Sequence, residues 1–352
     1  MLEEGVRTRP ILALAGLLAL GCSDPFTPDY RLVKARVLAL QADPPQPQLG
    51  ESTTLRALLY LPDGTGTPSF HWTWCPAPTS SDDGYGCPID QAGFDQLMGS
   101  AAGQAPSLDL GTGETAVFAN PFPADMLAAL CSGNAALASG RGAAGDAGDS
   151  SVVWSCGTGG FPITVRLELQ TPSMDKVAAA VFKIYLPTDA TQPGNNNPIV
   201  GGVSIVDPPP SGVPDDSGLP TLKRHLQYKI ALDMDTSVSE TFIGWTIDSL
   251  GGWATDDAGK HIIGSVQEII SVKWYVEGGD LGDDAGNGGA DTGYNPYATT
   301  PLQTIADANE NYWKTPKQSD YDKMPASVIV VIRDNRGGVN WTSAAFNLET
   351  QP

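Results

Sequence analysis

Five oxygen-bearing side chains set among glycines, Asp280, Asp283, Asp284, Asn287 and Asp291, form the densest candidate site in the sequence. Calcium takes about six to eight oxygen ligands, and a Gly/Asp loop over Gly278–Gly293 could supply several of them. The spacing provides no terminal bidentate glutamate and no nine-residue calcium repeat, so the competing expectation is a solvated loop in an acidic protein. Asp215-Asp216 and Asp256-Asp257 are shorter versions of the same pattern. Calcium is the one cofactor this chemistry suggests; otherwise none is expected.

Other reaction chemistries find little support. His71, His225 and His261 are the only histidines, and none sits in an H-x-x-x-H or C-x-x-C setting. No G-x-S-x-G nucleophile turn, no phosphate-binding loop and no strand–glycine–helix dinucleotide unit occurs. A hydrolase acting on envelope polysaccharide would need two carboxyls about 5–10 Å apart, which spacing along the chain cannot reveal. The chain therefore reads as a non-enzyme. Trp72, Trp74, Trp274 and Trp341 fall on expected strands and should be core. Trp253, Tyr294, Tyr297 and Trp313 fall near loops, where exposed rings stack on sugars or anchor a protein partner.

The N-terminus carries a separate signal. Arg7 and Arg9 precede an uncharged run, Ile11–Leu20, about ten residues long and too short to span a bilayer core that needs about 20. Such a run fits the apolar part of a cleaved export signal. Ala19-Leu20-Gly21-Cys22 resembles the lipobox of bacterial lipoproteins. That resemblance implies removal of residues 1–21, acylation of Cys22 with palmitate among its chains, and a tether over 22–30. The membrane is then the first partner. Ser23 after the cysteine implies the outer membrane of the bacterial cell envelope, with an envelope protein or polysaccharide as the unidentified second partner.

Export also organises the remaining cysteines. Cys75, Cys87, Cys131 and Cys156 make an even set, and disulfides persist outside the cytoplasm. Of three pairings, Cys75–Cys87 and Cys131–Cys156 are preferred because each closes a short local loop. A zinc site lacks the spacing and nearby histidines.

The elements that must position these groups are strands. The 352 residues include 40 glycines and 29 prolines, so turns are frequent and long helices few. A net charge of −20 spread over both halves repels phosphate backbones, so nucleic acid is not an expected partner. Period-two segments run through Leu32–Gln41, Glu51–Tyr60, Ser69–Cys75 and Phe161–Gln170, with a strand over Lys176–Leu186 and a short helix over Pro123–Leu130. In the second half they run through Gln227–Asp233, Val266–Glu277, Ala326–Asp334 and Val339–Leu348, the last two across the hairpin signal Asn335-Arg336-Gly337-Gly338.

Two segments look like parts of bacterial immunoglobulin-like domains: GESTTLRALLYLPDG followed by the Phe70, Trp72, Trp74 strand, and VKWYVEGG followed by NYWKTP and VIVVIRDNRGG. The expected fold is all-β, two tandem immunoglobulin-like antiparallel β-sandwiches after the signal and lipobox segment. The first should occupy 31–188, a linker 189–198, and the second, bearing the acidic loop, 199–352. The expected role is a non-catalytic, membrane-anchored lipoprotein that presents these domains as a binding or accessory module. Calcium-dependent adhesion, carbohydrate binding and polysaccharide hydrolysis are the alternatives.

Overall fold

The computed structural model describes residues 27–77, 79, 85–99, 105–131, 156, 160–188, 194–210, 217–245, 262–282, 288–294 and 308–350. Cys22 and the whole signal segment lie outside them.

Strands β1 (Arg36–Asp43), β2 (Ser52–Tyr60) and β5 (Thr115–Ala119) form one sheet in the order β1-β2-β5. Strands β3 (Ser69–Cys75), β4 (Asp109–Gly111), β6 (Phe161–Gln170) and β7 (Ala178–Leu186) form the facing sheet in the order β4-β3-β6-β7. A three-strand sheet of first, second and fifth strands over a sheet centred on the third and sixth is the immunoglobulin-like arrangement. Alternation drives it. Phe70, Trp72 and Trp74 point inward opposite Leu169, Leu167 and Val165 of β6.

Trp74 is the hub of this core, edge-on to Phe94 and Phe118 at 5.2 and 5.0 Å, the geometry that ring quadrupoles favour. The buried indoles keep a polar partner: Trp72 donates to the Gly113 carbonyl at 3.0 Å and Trp74 to that of Ser107 at 2.8 Å. Phe94 is delivered by helix α1 (Gln91–Met98), whose first turn is capped by the Asp90 side chain accepting from the Gly93 amide. Helix α2 (Ala124–Cys131) adds Leu127 and Leu130 to the same core. Disulfides join Cys75 to Cys87 and Cys131 to Cys156, the two pairings preferred from the sequence.

The second sandwich uses β8 (Val203–Asp207), β9 (Thr221–Leu222), β10 (Gln227–Leu232), β13 (Ile270–Val276), β14 (Asp280–Leu281), β15 (Asp291–Tyr294), β16 (Glu310–Lys314), β17 (Ala326–Asp334) and β18 (Val339–Leu348). Its sheets run β14-β16-β10-β8 and β15-β13-β17-β18-β9, and β9 lies parallel to β18. Strands β11 (Thr241–Trp245) and β12 (Ile263–Gln267) form a separate hairpin. The chain is thus all-β in character, with two immunoglobulin-like sandwiches.

Three sequence expectations are corrected here. Val266–Glu277 is not one strand. It breaks at Glu268-Ile269, where the Glu268 side chain turns inward to an arginine, leaving β12 and β13 in different sheets. The acidic loop carries two short strands, β14 and β15, because backbone groups there pair with β16 and β13. The last part of the 22–30 tether is docked, not free. The Val276 amide donates to the Tyr30 carbonyl at 3.0 Å and the Leu32 amide to the Val276 carbonyl at 2.8 Å, so the N-terminal segment pairs with the second sandwich before building the first.

The sandwiches are fused through β17. Its sequence, ASVIVVIRD, is buried on both faces. Val328, Val330 and Ile332 enter the core of the second sandwich. Val331 instead joins Leu32, Leu38, Ala39, Tyr60, Tyr275 and Val339 in a separate cluster drawn from both halves. A continuous apolar run is the signature of a strand covered on both sides.

The described end of the expected linker is stitched into the same junction. Asn197 Nδ2 donates to the Ala42 carbonyl at 2.9 Å, its Oδ1 accepts from the Val339 amide at 2.9 Å, and Asn195 Nδ2 donates to Asp334 at 3.1 Å. Arg336 completes it, donating to Glu268 at 3.1 Å and Gln46 at 3.0 Å with its guanidinium 4.5 Å from the Phe242 ring.

Candidate functional site

A cleft of about 480 Å³ opens where three parts of the chain converge. The N-terminal segment gives Thr27, Arg31 and Val33; the end of β2 and the turn after it give Tyr60 and Pro62; and the second sandwich gives the β13–β14 and β16–β17 connections. Its size falls within the range of about 300–1,000 Å³ that small-molecule sites occupy.

The floor is the tight turn Glu277-Gly278-Gly279. Gly279 has φ +82 and packs against the Lys314 carbonyl, where a Cβ would collide. Trp313 donates its indole N–H to the Gly278 carbonyl at 2.9 Å, pinning the turn from below. On one wall the Ser327 amide donates to Glu277 at 2.9 Å and the Tyr321 hydroxyl donates at 3.4 Å. Tyr60 bonds the same carboxylate; burial first and the charge of Glu277 second push its phenol up to about 12. Tyr321 is raised by the same two causes in the same order. Both tyrosines therefore stay neutral through the physiological range.

Arg31 also lines the cleft, donating to the Gly279 carbonyl at 2.9 Å and pairing with Asp280. Nearby Lys273 bridges Asp29 and Asp291 at 2.8 and 3.1 Å. Burial disfavours the Lys273 charge, but the hydrogen bonds it donates to those carboxylates outweigh it and raise its pKa; the bond from Lys273 lowers that of Asp29. The rim carries Lys314, Lys317, Lys323 and His225. His225 adopts φ +55, in the left-handed region that few non-glycine residues enter. Its turn is held by the buried Thr315 hydroxyl, which donates to the Lys223 carbonyl at 2.7 Å.

The expected calcium ligands do not assemble among the described residues. Asp280 sits on β14 against Arg31, and Asp291 on β15 against Lys273, in opposite sheets. No cluster of three or more metal-binding side chains occurs among the described residues. Asp283, Asp284 and Asn287 lie outside them, as do Asp215, Asp216, Asp256, Asp257, His261, Trp253 and Tyr297.

Trp313, expected near a loop, is fully buried on β16, and Tyr294 packs against the core of the second sandwich. Trp72, Trp74 and Trp274 are core as expected. Trp341 is only partly buried and lies under Arg56, 5.3 Å from its guanidinium, at the junction.

Sequence reasoning missed the cleft. Its residues are scattered from Thr27 to Lys323, and only the lysine-rich stretch KTPKQSDYDK hinted at it.

No family model and no curated protein matches the chain. Solved structures similar to it include murine CEACAM1b, at 10% identity over 90% of this chain and 100% of that one, TM-score 0.19. The three N-terminal domains of the bacteriophage RB49 highly immunogenic outer capsid protein align at 10% identity over 90% of this chain and 71% of that one, TM-score 0.20. The two tandem V-type regions of VCBP3, a v-region-containing chitin binding protein, align at 8% identity over 90% and 100%, TM-score 0.24. At such TM-scores the fold assignment stays with the strand order itself.

Proposed function

We propose that this protein is a non-catalytic lipoprotein of the bacterial envelope, anchored to the outer membrane through acylated Cys22, whose fused sandwiches present one composite binding cleft. The observation that carries the reading is the cleft's make-up. It exists only when the N-terminal segment, the first sandwich and the second are locked together. A module whose sandwiches merely followed one another would not bury Leu32, Tyr60, Tyr275 and Val331 in one cluster.

The non-catalytic part is supported by the cleft carboxylates, which are already engaged. Glu277 accepts from Ser327 and Tyr321, Asp280 pairs with Arg31, and Asp320 accepts from the Ser319 hydroxyl at 2.9 Å. The anchor fits the geometry. Thr27 at the cleft follows Cys22 by five residues, at most about 18 Å of extended chain, so the cleft would sit close to the membrane. Two or more acyl chains are needed for stable attachment, each buried CH₂ contributing about 0.8 kcal/mol.

Metabolic labelling with an alkyne palmitate analogue tests the anchor. Label should enter the chain, disappear in Cys22→Ser, and the variant should leave the membrane fraction. Label retained in Cys22→Ser would contradict it.

A further inference from the structure

Resting on the composite-cleft reading, we infer that the cleft takes an acidic saccharide, a sugar chain bearing carboxylates. The ligand's charge follows from which charges of the cleft are already matched. The chain carries 40 acids against 20 bases, so an unmatched base is the exception. Three of its ten lysines stand at this one cleft, within KTPKQSDYDK. Every lining acid has an internal donor, as described above. The lysines differ. Lys314 and Lys317 have no carboxylate within ion-pairing distance among the described residues. Lys323 reaches only Asp63 at 3.8 Å, with that carboxylate almost wholly exposed, a contact of little worth in water. The cleft therefore keeps an excess of ammonium donors on its rim, inside a protein whose wider field repels anions. Such an arrangement favours a ligand held by short-range contacts, not one steered from a distance.

The walls narrow the class further. The Tyr321 and Tyr60 rings with Pro62 and Pro316 provide flat apolar surface, and the His225 imidazole adds a hydrogen-bonding edge. A sugar ring presents an apolar face and polar edges that match such walls, and a carboxylate on that ring would meet Lys314 and Lys317. Inorganic phosphate carries the charge without the face. A neutral glucan carries the face without the charge.

Titration calorimetry of the chain from Ser23 onward with tetragalacturonate, maltotetraose and inorganic phosphate separates these. Tetragalacturonate should bind, at least about tenfold more tightly than maltotetraose or phosphate, and weaken with added salt. The double variant K314Q/K317Q, which changes rim side chains and leaves the melting temperature in place, should weaken it at least about tenfold. Y321F should keep the lysine dependence.

Equal binding of maltotetraose, unaffected by the lysine changes, would overturn the acidic class and leave the composite cleft standing. Phosphate binding as tightly as the tetrasaccharide would overturn the saccharide. No binding of tetragalacturonate would overturn the inference outright. The composite cleft itself fails on a different readout, independent unfolding of the two sandwiches.

Discussion

Glu268 and Arg336 show how much a single buried group decides. Two carboxylates, Glu268 and Asp334, share the junction with Arg336. Asp334 accepts from the Arg336 and Gly338 amides, each at 2.8 Å, and from Asn195. Glu268 has fewer donors, and burial first, then the charge of Asp334, push it up to about 8; burial raises Asp334 as well. A carboxyl whose folded pKa lies above its ordinary 4.5 contributes stability that is complete below about pH 4.5 and lost as pH rises through about 8. The melting temperature should therefore fall between pH 5 and 8, and Glu268→Gln should shrink that fall by at least about 2 °C. Scanning fluorimetry across that range checks it, and an unchanged slope would show that Glu268 stays ionised. Sequence gave no sign of this pair. Glu268 and Arg336 are 68 residues apart in the chain; Glu268 falls inside the expected strand Val266–Glu277 and Arg336 in the hairpin signal.

Strands were the most legible level. Ser69–Cys75, Phe161–Gln170, Ala326–Asp334 and Val339–Leu348 form at their expected bounds, and in Ser69–Cys75 the buried Phe70, Trp72 and Trp74 alternate with less buried neighbours. Where a strand is covered on both faces, alternation says less. The run VIVVI in β17 held the only hint that something packs on its outer side. The docked Tyr30-Arg31-Leu32 segment was unreadable for the opposite reason, being too short to show a period. It nonetheless carries weight. Leu32→Ala opens a cavity in the shared cluster and should cost about 2–5 kcal/mol, splitting one unfolding transition into two in a calorimetric scan. One intact transition at lowered temperature would mean the other junction contacts suffice.

At the scale of the whole molecule, the disulfides and the junction divide the labour. Cys75–Cys87 and Cys131–Cys156 close loops with sequence separations of 12 and 25 residues in the first sandwich only. Each restrains the unfolded chain by about 3 kcal/mol in the loop-entropy view. Reduction should lower the melting temperature mainly through that half, read as earlier loss of the near-ultraviolet signal from Trp72 and Trp74. The second sandwich has no disulfide among the described residues. It relies on β17, on the N-terminal segment and on contact with its neighbour.

The cleft is pre-formed only if the two sandwiches are rigidly fused and unfold together. Differential scanning calorimetry of the unreduced chain from Ser23 onward reads this fusion. One transition, with calorimetric and van't Hoff enthalpies equal, is the result expected of a fused pair. Two transitions in the unaltered chain, each with its own enthalpy, would show that the sandwiches are independent and the cleft is no preassembled site.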